Sequence, residues 1–172
     1  MHPKIATSID PKLLQIYLTD HLAGATAGRD RSANMAHRYQ GRPMGSALVK
    51  LAGQINDEHQ TLAALIEALG FRRRLGHQVL AGLGEKLGRL KLNGRILSTS
   101  PLTPVIEIEL MRSAVVGKIG LWRTLRDLSP QLELEQSKFQ DLEDLARQQL
   151  GTLDDLHAQQ RTIGFSTKPP EK

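Results

Sequence analysis

Carboxylates and histidines recur in this sequence at spacings that would allow their side chains to ligate a metal ion. Two stretches, Asn56–His59 and Asp154–His157, place a carboxylate within one helical turn of a histidine, and Asp20, Glu107 and Glu109 could each add a ligand. Side chains three or four residues apart share one face of a helix. Carboxylate and imidazole groups together suit iron or manganese. A carboxylate metal site is therefore the first hypothesis for chemistry in this chain.

The elements that would position these side chains are predicted to be helices. Two stretches, about 10–69 and about 100–160, each have the pattern of a helical hairpin, and a glycine-dotted connector joins them. The clearest pattern runs from Leu48 to Leu69, where apolar residues keep four- and three-residue spacing with His59 among them. Only 3% of the residues are aromatic. We expect an all-α fold with essentially no sheet and with a short helix in the connector.

The chain resembles the ferritin-like superfamily over about residues 10–160. The resemblance rests on two helical hairpins joined by one long crossover and on fragments of a Glu-x-x-His motif. The resemblance implies an all-α, ferritin-like four-helix bundle. No break in composition indicates a second domain and the apolar pattern fades near the end, so we expect one domain over 1–165 with a disordered tail over 166–172. The resemblance also implies an iron or manganese site built from carboxylates and histidines on facing helices. The candidate ligands of that site are Asp20, Glu58, His59 and Glu143.

The positions of these fragments along the axis of the bundle favour a polar cluster over a metal site. Counted from hairpin turns near residues 41–42 and 130–131, the ligand fragments of the two hairpins miss each other by about 20 Å. Lys118 and Glu143 lie equidistant from the second turn and level with Asp20 and His59. We therefore predict a polar core cluster of Asp20, His59, Lys118 and Glu143, in which the ammonium supplies the charge of a metal. The alternative is that each charged side chain extends to solvent.

The excess positive charge of the chain lies in the connector. The protein carries a net charge of +5, and the segment from Phe71 to Ser100 contains seven Lys or Arg residues against a single Glu85. Such a segment could bind the phosphates of a nucleic acid or an anionic membrane. No aromatic residue interleaves with these charges to stack on bases. The candidate anion-binding residues of the basic connector (71–95) are Arg72, Arg73, Arg74, Lys86, Arg89, Lys91 and Arg95.

The composition of the chain excludes two further classes of function. The chain has no cysteine, so thiolate chemistry is excluded, and no apolar run is long enough to cross a membrane. We expect a cytoplasmic, metal-free, ferritin-like bundle that is not an enzyme and that serves as an interaction or scaffold protein with a protein partner or as a homodimer. The alternatives are an iron or manganese protein, and nucleic-acid or anionic-membrane binding through the connector.

Overall fold

Four long helices account for most of the chain that the structure describes. The structure is a computed structural model, and it describes residues 4–71 and 100–166. Within these two ranges there is no β-strand, which confirms the all-α prediction, and no helix is both long and apolar enough to span a membrane. The helices are α1 (Pro11–Arg38), α2 (Gly45–Ala68), α3 (Thr103–Leu128) and α4 (Gln136–Gly164), with a 3-10 turn over Ser129–Leu132.

The first hairpin follows the signals in its sequence. Oδ1 of Asp10 accepts hydrogen bonds from the backbone N–H groups of Lys12 and Leu13 at 2.8 and 3.2 Å, and Pro11 occupies the first helical position. A proline costs nothing there because that N–H has no partner within the helix. Between α1 and α2 the chain turns through Gly41, whose φ of +78° is a left-handed conformation that glycine adopts readily.

The second hairpin turns later than the sequence predicts. After α3 the chain continues through the 3-10 turn and reverses at Glu133, a non-glycine residue with a φ of 51°. Contacts between α3 and α4 are symmetric about this residue, and not about residues 130–131. The pairs that show this are Arg126 with Gln140, Arg112 with Asp154, and Glu109 with His157.

The relative direction of the two hairpins follows from contacts between α1 and α3. The hydroxyl of Tyr17, near the start of α1, donates to Oγ1 of Thr124, near the end of α3, at 3.1 Å. The hydroxyl of Tyr39, just after α1, donates to Oε2 of Glu107, near the start of α3, at 2.7 Å. The two helices are therefore antiparallel. Since α2 reverses the direction of α1, α2 and α3 run the same way, and their connecting ends lie at opposite ends of the four helices.

One continuous core lies between the helices. Every long helix contributes side chains that are almost completely buried, among them Leu18, Ile66, Leu125 and Leu153. The ring of Trp122 stacks on that of Phe139, with centroids 6.4 Å apart. The predicted helix within the connector and residues 167–172 of the predicted tail lie outside the described residues.

Candidate functional site: a buried ion pair between the helices

Lys118 is a charged residue of α3 whose side chain is largely buried. Its ammonium donates to Oε2 of Glu58 on α2 and to Oε1 of Gln149 on α4, so one side chain links three helices. The side chain of Glu58 is only 3% exposed and that of Lys118 only 14%. Burial lowers the pKa of Lys118, and the adjacent Glu58 carboxylate offsets part of that shift. The pair thus carries two charges into a largely dry environment.

Amide groups complete the surroundings of this pair. The side-chain N–H of Gln149, which is 2% exposed, donates to Oε2 of Glu58 at 3.3 Å and to Oε1 of Gln54 at 3.4 Å. The second oxygen of Glu58, Oε1, is buried and accepts no hydrogen bond within the described residues. The cluster therefore keeps one unused acceptor in the interior.

Glu143 belongs to a separate cluster near the surface of α3 and α4. Its carboxylate accepts hydrogen bonds from Arg147 at 2.5 Å, from Arg126 at 2.7 Å and from Arg123 at 3.1 Å. The carboxylate is 2% exposed because these guanidinium groups cover it, and Arg123 and Arg147 are themselves half-exposed. The hydrogen bond from Arg147, followed by that from Arg123, lowers the pKa of Glu143.

The structure thus corrects the predicted partner of Lys118. The sequence pairs Lys118 with Glu143 across a turn centred at 130–131, whereas the observed contacts are symmetric about Glu133. Moving the turn by between two and three residues moves the facing position on α4 by about five residues, which is more than one helical turn. Gln149 therefore faces Lys118, and Glu58 of the other hairpin provides the negative charge.

The two remaining members of the predicted cluster lie elsewhere. Asp20 is exposed on α1. His59 is half-buried, and its Nε2 lies 3.1 Å from Oγ1 of Thr26 on α1. The neighbouring His21 packs its ring edge-on against Tyr17, and burial lowers its pKa while the Asp20 charge opposes the shift.

The candidate metal ligands do not fit a metal centre. No group of three or more histidine and acidic side chains that could hold a metal occurs in 4–71 or 100–166. Of the four candidates, Asp20 is exposed, Glu58 is bound to Lys118, His59 contacts Thr26 and Glu143 is bound by arginines. Three other acids of the first hypothesis also have partners of their own: Glu107 with Tyr39 and Arg38, Glu109 with His157, and Asp154 with Arg112.

Sequence reasoning missed Gln149, Gln54 and the three arginines around Glu143. A usable signal existed for Gln149, because it stands three residues after Ala146 and four before Leu153, which are both fully buried. A polar residue at such a position has to find a partner inside the bundle. The anion-binding candidates Arg72, Arg73, Arg74, Lys86, Arg89, Lys91 and Arg95 lie outside the described residues.

The arginine-bound carboxylate predicts a pH-dependent contribution to stability. Because the pKa of Glu143 is lowered in the folded state, its contribution is present above the unfolded pKa of about 4.3 and is lost as the pH falls through the folded value. We expect Glu143→Gln to lower the free energy of unfolding by about 1 kcal/mol at pH 7, as for partly exposed ion pairs. The difference from the wild type should shrink below pH 4 in urea denaturation.

Asp144→Asn is the matched control for this prediction. It removes a charge in the same turn of α4 from a residue that is exposed and accepts a hydrogen bond from Gln140. A loss for Asp144→Asn as large as that for Glu143→Gln, or a difference independent of pH, would contradict the role of the arginines.

Comparison with protein-family models, with curated proteins and with solved structures finds no match to this chain.

Proposed function

We propose that this protein is a metal-free, ferritin-like helical bundle that acts as an interaction or scaffold protein and not as an enzyme. The observation that carries the proposal is the pair formed by Lys118 and Glu58. Ferritin-like dimetal proteins use inward-pointing glutamates to bind metal cations. In this chain the cation bound by the inward-pointing Glu58 is the ammonium group of a lysine of the same chain.

The chemistry of the pair supports this reading. A carboxylate that already binds an ammonium offers a second cation little electrostatic gain, and a metal would also have to displace or repel Lys118. The amide oxygen of Gln149 accepts a hydrogen bond from the same ammonium. The polar groups at this level therefore hold helices together, which is the task of a structural bundle.

Metal analysis of the purified protein tests the proposal. The chain is expressed in medium supplemented with iron and manganese, purified without chelator and analysed by inductively coupled plasma mass spectrometry. We expect far less than one iron or manganese atom per chain. A content near two atoms per chain, as a dimetal site requires, would overturn the proposal.

A scaffold role also implies contacts between chains. Several large apolar side chains are exposed on the described surface, including Leu13 and Ile16, one turn apart on α1, and Phe165 after α4. We expect a homodimer in sedimentation equilibrium. If the wild type is a monomer at every concentration and Leu13→Ser has the same mass in sedimentation equilibrium, the scaffold role does not involve self-association.

A further inference from the structure

An open groove lies between α2 and the start of α4. The two helices are joined at one level, where the amide of Gln149 donates to Gln54 and to Glu58. Beyond that level, towards the end of α2, the described parts of the two helices leave between them a groove of about 600 Å³. Glu135, which lines its far end, precedes Gln149 by fourteen residues, or about 21 Å along the axis of α4.

The floor of the groove is part of the apolar core. Leu65 of α2 and Leu134, just before α4, pack against the core but are only partly buried, and Phe139 lines the groove beside them. On the α2 side the wall is formed by Ala64 and Ala68, whose short side chains do not cover the leucines. An exposed apolar surface with a polar rim is typical of a site of protein–protein contact.

The shape of the groove suits a helix. The groove follows α2 from Asp57 to Ala68, which is eleven residues, or about 16 Å and three helical turns. An extended peptide would find no backbone partners along this wall, because the N–H and C=O groups of α2 are bonded within the helix. A small molecule would stay largely exposed in so open a groove. A third helix satisfies its own backbone and packs its side chains between the other two.

The charges on the rim indicate which helix fits. Asp57 at one end of the groove and Glu135 at the other are exposed, and their carboxylates accept hydrogen bonds from the neutral donors Asn56 and Ser137. Lys138 is the third charged residue that lines the groove, so these three residues carry a net charge of −1. Positive charge at the two ends of a bound helix would complement the two carboxylates.

We propose that this groove binds an amphipathic helix of another protein, about three turns long, with an apolar stripe and a lysine or arginine at each end of that stripe. The apolar side chains cover Leu65 and Leu134 in the space that the two alanines of α2 leave. The cationic ends lie beside Asp57 and Glu135. This inference rests on the proposed role as an interaction protein and names the class of its partner.

The probe is a synthetic peptide of about four helical turns with blocked termini. It has leucines at alternating steps of four and three residues, two lysines at each end and alanine elsewhere, and its binding to the full chain is followed by fluorescence anisotropy. We expect saturable binding at roughly micromolar protein. A peptide with glutamates in place of the lysines should bind at least about tenfold more weakly.

Two outcomes would overturn the inference, namely no saturable binding of the lysine peptide, or equal binding of the two peptides. Neither of them overturns the proposed function, which is contradicted by a metal content near two atoms per chain. The two failures are therefore distinguishable.

Two alanine variants locate the site. Ala64→Trp fills the groove and should weaken binding of the lysine peptide at least about tenfold. Ala114→Trp is the matched control, because Ala114 is an exposed alanine of α3 that does not line the groove, and it should leave binding unchanged. Binding that survives Ala64→Trp, or that falls equally in both variants, would contradict the placement of the helix. If Ala64→Trp instead converts a dimer into a monomer in sedimentation equilibrium, the groove belongs to a second copy of this chain and the proposal is wrong.

Discussion

Replacing Lys118 by methionine is expected to lower the free energy of unfolding by about 3–5 kcal/mol, because it leaves a buried carboxylate without its partner. Glu58 is 3% exposed, so water cannot take the place of the ammonium without opening the bundle. Gln149 would still donate to Oε2 of Glu58. A single neutral hydrogen bond, worth about 1 kcal/mol, does not replace a charged one. Urea denaturation followed by circular dichroism at 222 nm measures the change.

Lys138→Met serves as the control for this variant. Lys138 is an exposed lysine of α4, and its replacement should change stability by no more than about 0.5 kcal/mol. A loss for Lys118→Met that is as small as the loss for Lys138→Met would mean that Lys118 extends to solvent and that its contact with Glu58 contributes little.

Gly45→Ala is expected to destabilise the first hairpin by about 2 kcal/mol, within the usual range for side chains that have no room. Gly45 is the first residue of α2, and a Cβ atom there would lie 2.6 Å from the backbone oxygen of Tyr39. That oxygen belongs to the turn, where it accepts a hydrogen bond from the N–H of Arg42 at 3.1 Å. The added methyl group therefore forces a shift of backbone and not of a flexible side chain.

Gly53→Ala provides the opposite result for the same substitution. Gly53 lies inside α2, is exposed, and has no atom within 4 Å of an added Cβ. Alanine should raise stability there by about 1 kcal/mol, since it is a much better helix former than glycine. If both variants were stabilised in thermal unfolding, the close approach of Tyr39 to Gly45 would not exist in solution.

The sequence is sufficient to predict the helices, because apolar spacing and, for α1, a capping residue act locally along the chain. Asp10 and Pro11 begin α1 as their chemistry requires, and the spacing from Leu48 to Leu69 defines the buried face of α2. Such signals act within a few residues of the chain, so a single sequence contains them.

The partner of Lys118 could not be predicted from the sequence, for a geometric reason. It depends on the level of one helix against another, and Glu133 adopts a left-handed conformation that its residue type does not signal. Placing the turn before Glu133 gave Lys118 the wrong partner. The apolar spacing of α2 also predicts that His59 lies on the inward stripe, whereas Glu58 beside it is the residue that is buried.

The buried pair differs from a metal centre in what it contributes to the bundle. Burial lowers the pKa of Lys118 while the charge of Glu58 opposes that shift, and a buried pair is in general a weak source of net stability. Its contacts instead join α2, α3 and α4 at one level. Replacing a buried pair by apolar side chains is often neutral or stabilising. We therefore assign to the pair the relative placement of the helices.

A double-mutant cycle of Glu58→Met and Lys118→Met tests the buried pair most directly. The central claim is that the two side chains neutralise each other inside the bundle, so removing both should cost far less than the sum of removing each. We predict a double variant at least as stable as the wild type and a coupling energy of about 3 kcal/mol or more, as for other buried pairs. Additive losses, with a coupling energy near zero, would contradict the claim.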